Sequence, residues 1–328
     1  MLGFIARRLV SSVFVLFIAS IVVFLVVTSM GDPMGDLMAR NPRPPQSVFD
    51  AKRRELNLDK PLPMRYGIWL GNFVQGDMGE DVDGRDVQTR LTRGFFVTLR
   101  MSLVATFLAV ILAVVVGVYS AVRQYSISDY ILTFFGFLFL SMPVFWLAGL
   151  LKEFGAIELN EAAGQRLVYT VGDQSPNLEG NFGERMADYA GHMALPTLAL
   201  TLIAYAAWSR YQRATMLDVL NSDYVRLARA KGLSNRRVLV KHALRNALIP
   251  LVTVVAVDVG AVFAGAVITE RVFAWRGMGS ILIEAFEPGA YDVNTLLAWV
   301  MLTGVFVVLF NLIADILYGV LDPRIRVA

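Results

Sequence analysis

The chain has no cysteine. That excludes disulfides, thiolate metal ligands and a cysteine nucleophile. Histidine is almost as scarce, with His192 and His242 the only two, so a histidine-rich metal site or proton relay has no material. Charge is also thin. Charged residues make up 17% of the 328, whereas soluble proteins carry about a quarter. No Gly-x-x-x-x-Gly-Lys-Ser/Thr phosphate loop occurs, so ATP cannot be held in that manner. No Ser/His/Asp or metal-ligand constellation has usable spacing, and the chain is expected not to be an enzyme by itself.

What is abundant is apolar length. The hydrophobic fraction is 56% and the mean hydropathy +0.57. Several apolar runs reach the ~20 residues needed to cross a hydrocarbon core about 30 Å thick. The expected fold class is an all-α, polytopic membrane protein. Six spans are expected, at about 9–30, 97–122, 130–151, 193–208, 250–269 and 296–320. The first follows Arg7 and Arg8 and is too long for a signal-peptide core, so it reads as a retained anchor. The organisation expected is an N-terminal span (1–30), an external lobe (31–95) holding Gly-Asp-Pro (31–33) and Asn-Pro-Arg-Pro-Pro (41–45), and a five-span core (96–328). Loops 152–192 and 270–294 are expected outside, and 209–249 in the cytosol.

The net charge of +3 does not indicate nucleic acid, because the bases cluster at the ends of apolar runs. The stretch 209–249 holds nine bases (Arg210, Arg213, Arg226, Arg229, Lys231, Arg236, Arg237, Lys241, Arg245) against Asp218 and Asp223 alone. That asymmetry, with Arg324 and Arg326 in the tail, places this stretch and both termini on the cytosolic side of a cell membrane.

Residues 223–250 are the most informative segment. Tyr224, Leu227, Ala228 and Lys231 fall on one helical face. Gly232 is expected to stop that helix and Ser234 to cap the next. Arg237, Lys241 and Arg245 recur every four residues as a basic ridge beside Val238, Leu239, Ala243, Leu244 and Leu248. Pro250 suits the first turn of the following span. Two readings fit these residues: an amphipathic pair lying on anionic lipid, or a docking element for a cytosolic partner.

Several polar or bent positions lie inside apolar runs. Asp258 in span five is costly there, at about 2.5–3.5 kcal/mol. It reads either as lining a translocation path or as an interhelical bond. Asn311 and Asp315, one turn apart, read as a hydrogen-bonding pair or a substrate site. Pro143 and Pro196 read as packing kinks or as bends along a pathway. Gly260, Ala264 and Gly265 let helices approach closely. Phe134, Phe145 and Trp146 read as packing. Glu270, Arg271 and Trp275 open an external segment and are candidates for a gate or a binding-protein contact.

The segments Ala-Arg-Ala-Lys-Gly-Leu (228–233) and Lys-His-Ala-Leu-Arg-Asn-Ala-Leu-Ile-Pro (241–250) carry a resemblance. With Arg7-Arg8, Gly-Asp-Pro (31–33), Glu-Arg-Val-Phe-Ala-Trp-Arg-Gly-Met-Gly (270–279) and Asp-Ile-Leu-Tyr-Gly-Val-Leu-Asp-Pro-Arg-Ile-Arg (315–326), they resemble ABC importer permeases of the dipeptide/oligopeptide/nickel family. The likeness runs the length of the chain and is strongest to the first permease subunit of an oligopeptide importer. It implies a six-span type I importer fold whose cytosolic loop seats a coupling helix in a cleft of an ATPase subunit. The residues so implicated are Asp223, Tyr224, Arg226, Leu227, Ala228, Arg229, Ala230, Lys231, Gly232, Leu233, Arg237, Lys241, His242 and Arg245. Arg226, Leu227 and Ala228 stand where the loop's name-giving Glu-Ala-Ala is found, and Arg276 where the family often has proline. A literal Glu-Ala-Ala at 161–163 lies in the expected external loop and is a decoy.

The resemblance further implies partners: a second permease subunit, ATPase subunits (two, or one fused) that use ATP and Mg, an extracytoplasmic binding protein, and peptide cargo. Membrane lipid surrounds the chain. The rival readings are a stand-alone secondary transporter, which would need an ion-coupling site and usually internal repeats, and a membrane anchor or assembly protein.

Overall fold

The computed structural model describes residues 2–39, 41–176, 180–287 and 291–321. The tail motif carrying Arg324 and Arg326 lies outside the described residues, as do 177–179 and 288–290 within the two expected external loops. The helices are α1 (Leu2–Met30), α2 (Gly35–Ala39), α3 (Gln46–Glu55), α4 (Leu62–Val74), α5 (Val87–Val122), α6 (Ile127–Ser141), α7 (Val144–Leu150), α8 (Glu158–Ala163), α9 (Phe182–Leu220), α10 (Asp223–Ala230), α11 (Asn235–Arg237), α12 (Arg245–Val272), α13 (Met278–Ala285) and α14 (Val293–Leu321). Two π-helical turns, Leu151–Ile157 and Val238–Leu244, join α7 to α8 and α11 to α12. Among the described residues, five helices are long and apolar enough to cross a membrane, or six when one bent pair counts as a single span.

That bent pair corrects the expectation of a continuous third span. The chain turns by 111° between α6 and the α7–α8 segment. Pro143 causes the break. It has no N–H to donate to the preceding turn, and it forces Met142 into extended backbone, with ψ of 128°. Span four is corrected in the other direction. The 193–208 run is only the apolar middle of the 39-residue α9, which is about 58 Å long at 1.5 Å per residue. The loop expected at 209–249 therefore begins only after Leu220. At its start α9 is closed by a capping box. Asn181 Oδ1 accepts from Glu184 N at 3.0 Å, and Glu184 Oε2 accepts from Asn181 N at 3.0 Å. Pro196 sits inside this helix and Pro250 inside α12. Pro250 is thus not a first-turn residue. The π-turn before it already continues the helix, and only the Asn246 carbonyl loses its helical donor.

The chain divides into two compact units. Among the described residues, the first comprises 98–275 with 310–321. Its centre is the α9–α12 pair, against which α6 and α7 pack. Ala109 and Ala113 of α5, Tyr205, Ala206 and Trp208 of α9, and Leu251 of α12 form one buried cluster. Small residues make the close approach possible. A Cβ on Gly117 would lie 2.8 Å from both the Ser209 carbonyl oxygen and Gln212 Cβ.

The second unit comprises Leu2–Val97 with Arg276–Leu309. Phe24 and Val27 of α1 pack with Ala285, Val293, Leu296 and Leu297, and Tyr66 and Trp69 of α4 close over them. Asp81 is buried and bridged by Arg90 Nη1 at 3.0 Å, while Arg90 Nη2 reaches Glu284. Asp292 is also buried. Burial pushes its carboxyl up, reinforced by the Asp81 charge and opposed by its bonds from Thr295.

Gly117→Val is expected to destabilise the first unit by about 1–3 kcal/mol through overpacking. Thermal unfolding of the purified chain in detergent, followed by tryptophan fluorescence, should show a lowered midpoint. An unchanged midpoint would mean that α5 and α9 can separate at no cost.

Candidate functional site

The turn between α9 and α12 is built on a buried face and an exposed one. Ser222 precedes α10 with extended backbone, and Asp223 occupies its first turn, where the helix dipole favours an acid. Val225 and Ala228, three residues apart, are the buried side of α10. They join Ala121 of α5, Met216 of α9, Val238 and Ala243 of the π-turn, and Ala247 of α12 in a single cluster. Gly232 N donates to the Arg229 carbonyl at 2.9 Å, and Leu233 N to the Ala228 carbonyl at 3.4 Å. This is the Schellman pattern, and it needs Gly232 at φ +76°. A Cβ at Gly232 would meet nothing within 4 Å, so the requirement is backbone conformation and not space. Ser234 does precede the next helix, but its side chain makes no capping bond.

The outward face carries Tyr224 and Leu227, 44% and 56% exposed. Asp223, Arg226, Arg229, Ala230, Lys231, Gly232, Arg237, Lys241 and Arg245 are exposed as well. Leu233 and His242 are half-buried. The face expected from Tyr224, Leu227, Ala228 and Lys231 is therefore split. Of these only Ala228 points inward, and its companion Val225 was missed. The i, i+3, i+4 template fits either side of so short a helix, and only contact with Met216 and Val238 selects one. The basic side chains have almost no internal partners. Arg226 approaches Asp223 at 3.5 Å, but both are well exposed and such a pair contributes about 0–1 kcal/mol.

Beside this turn lies a polar clamp that the sequence reading did not identify. Arg213 of α9 donates to Asp129 of α6 through Nη2 at 2.9 Å and Nε at 3.1 Å. Nε also reaches Ser120 Oγ of α5 at 3.2 Å, and Ser120 itself donates to Asp129. Tyr125 N adds a bond at 3.0 Å. Asp129 and Ser120 are each 2% exposed. A forked guanidinium on a buried carboxylate, with the remaining lone pairs filled, is the geometry in which a buried ion pair holds. The available signal was one acid in a short turn between two apolar runs, with Arg210 and Arg213 just past the apolar run of α9.

Of the candidate pathway residues, Asp258 is bonded across helices. Trp208 Nε1 of α9 donates to its Oδ2 at 2.8 Å. Pro143 stands at the break before α7. Asn311 and Asp315 are half-buried on α14. At the far end of α12, Glu270 and Trp275 are buried and Arg271 is exposed. Thr98 donates to the Glu270 carboxylate, and Trp275 N to the Glu270 carbonyl at 2.8 Å. Arg100 stacks over Trp275 at 5.3 Å and pairs with Asp173 at 3.0 Å. Lys152 Nζ donates to the Val272 carbonyl at 3.0 Å. Of the three gate candidates, only Arg271 presents an accessible side chain.

Comparison with known proteins gives the same outline. A family model described as "Binding-protein-dependent transport system inner membrane component" matches residues 113–327, and the corresponding N-terminal model matches 1–87. The chain is 41% identical to the oligopeptide transport system permease protein OppB of Mycobacterium tuberculosis over 328 residues, all of both chains. It is 36% identical to the oligopeptide transport system permease protein AppB of Bacillus subtilis, over 99% of this chain and 100% of that one. To the dipeptide transport system permease protein DppB of Escherichia coli it is 37% identical over 83% of each. A solved structure, the inward-facing MetNI methionine ABC transporter, matches with a TM-score of 0.55 at 18% identity, over 71% of this chain and 96% of that one. That likeness concerns the fold alone.

Arg213→Gln leaves Asp129 buried and uncompensated, and is expected to cost on the order of 3 kcal/mol. Arg226→Gln should fall within about 1 kcal/mol of wild type, as exposed pairs do. Unfolding midpoints of the two variants in the same detergent check this. Equal midpoints would show that the clamp contributes nothing.

Proposed function

The chain belongs to the family of binding-protein-dependent transport system inner membrane components, and we propose from that premise that its cargo is peptide. It is a multi-pass inner membrane protein and the non-catalytic permease subunit of an ABC importer. The observation that carries the peptide reading is the end-to-end likeness to OppB, 41% over all 328 residues. The relatives named for oligopeptide and dipeptide transport span both peptide classes, so the reading extends to short peptides without choosing a length.

In this reading the chain forms half of a translocation pathway, and a second permease subunit forms the other half. ATP and Mg are used by partner ATPase subunits, either two chains or one fused chain. An extracytoplasmic binding protein delivers the peptide. After Leu220, residues 221–249 carry seven bases against Asp223 alone, which supports a cytosolic position for this turn and for both termini. The lobe at 31–95 then lies outside, and exposed Arg271 is the available contact for the binding protein.

Residues 223–245 couple the two processes. Tyr224 and Leu227 offer exposed apolar side chains on a turn that also exposes Arg226, Arg229, Lys231, Arg237, Lys241 and Arg245. An apolar anchor inside a charged rim is the arrangement that docks into a cleft and steers a partner of opposite potential. The buried side of α10 gives the stroke a route. Val225 and Ala228 are packed against Met216 of α9 and Ala247 of α12. Packed cores move as bodies and do not deform continuously. A displacement of α10 therefore moves the ends of α9 and α12 together, and the Arg213–Asp129 clamp carries it to α6. Higher on the same helix pair, the Trp208–Asp258 bond ties α9 to α12. Separation of those helices would free the Asp258 carboxylate to face the pathway, with Pro143, Asn311 and Asp315 as further lining candidates.

The test is uptake of a labelled oligopeptide by proteoliposomes holding this chain with its partner permease, ATPases and binding protein. Uptake should require ATP. Leu227→Asp should keep the wild-type unfolding midpoint yet lower uptake by about tenfold or more, the effect of losing a central anchor. Gly232→Pro, which cannot adopt a φ of +76°, should insert normally and leave ATP hydrolysis uncoupled from transport. Wild-type uptake in both variants would sink the docking role.

A further inference from the structure

The second unit contains a cavity of about 380 Å3 that none of the transport roles uses. Its walls come from the end of α1 (Phe24), the end of α3 (Glu55), one face of α4 (Arg65, Trp69) and the turn at 77–80 with Asp77 and Glu80. The volume lies in the range of ~300–1,000 Å3 typical of small-ligand pockets. Arg65 is the only cationic side chain lining it among the described residues. Arg65 is half-buried, and its guanidinium makes no hydrogen bond or ion pair with any described residue. Burial lowers its pKa.

A guanidinium partly withdrawn from water, with no partner among the described residues, is stabilised by a ligand that supplies the acceptor. Trp69 and Phe24, with ring centroids 5.5 Å apart, provide an apolar wall beside it. Of the acids, Glu55 is engaged by Lys52 at 2.7 Å. Asp77 and Glu80 are exposed at the rim. The cavity thus offers one unanswered cation inside, an aromatic wall, and negative charge at the mouth.

We propose that this cavity binds a small zwitterion, with its anionic group on Arg65 and its ammonium at the Asp77–Glu80 rim. Two sources share that chemistry: a short peptide with free termini, and the headgroup of an ethanolamine phospholipid. The site goes beyond the transport reading, since uptake is not its readout and a failed transport assay leaves it standing.

The experiment is calorimetric titration of the full-length chain, delipidated in maltoside detergent, with trialanine and with dihexanoylphosphatidylethanolamine. At least one should bind at a single site, and which one binds identifies the source. Arg65→Gln should weaken that binding by about tenfold or more, the effect of a lost charge-assisted bond, while Arg65→Lys retains most of it. Removing the anionic group from the ligand should act alike: trialanine amide should bind more weakly than trialanine, and dihexanoylglycerol, which lacks the whole zwitterionic headgroup, more weakly than the phospholipid. These ligand pairs on the wild-type chain decide the matter if Arg65→Gln does not fold. Failure of both ligands to bind, binding unchanged in Arg65→Gln, or equal affinity with and without the anionic group would each overturn the proposal.

Discussion

A carboxylate buried between helices must be answered in full, and the first unit is arranged around one such answer. Asp129 receives Arg213 in a fork, Ser120, and the Tyr125 backbone N–H. These donors come from α9, from the end of α5 and from the turn before α6. Each helix is held in register by a group that would be costly to leave alone. Once α9 is fixed there, Met216 one turn on is placed to receive α10, and Trp208, one turn and a half back, to receive Asp258 of α12.

The same logic divides the coupling turn into two sides. Its inner side is apolar and small, with Ala121, Val225, Ala228, Ala243 and Ala247 buried in one cluster. Its outer side concentrates cations with almost no internal partners. A membrane chain this poor in charge does not place exposed arginines and lysines together without a surface to meet them. In the proposed role, that face is where a partner ATPase would dock.

Much was legible in advance. The apolar runs and Gly232 follow from solvation and backbone sterics, which act locally, and they foretold the class and the helix stop. The family resemblance rested on motifs spread along the chain and matched the comparisons. Span limits were less legible. The limits of α9 were misjudged because hydropathy marks only the part of a helix suited to lipid, while the helix itself continues through polar turns capped by Asn181 and Glu184. The 111° break at Pro143 was foreseen as a bend but not in size, since proline removes one bond and the packing around it decides the angle.

The sequence by itself determined that this is a helical membrane protein with one basic, glycine-cornered turn, because burying apolar length and keeping arginine in water are demands each segment meets alone. Only the tertiary structure decided which side of α10 faces inward, that Arg213 answers Asp129, that Trp208 answers Asp258, and that Glu270 and Trp275 are buried while Arg271 is not. Those outcomes depend on pairs of residues from 5 to 172 positions apart. A hydrogen bond is settled by where two helices meet, which no single stretch of chain can specify.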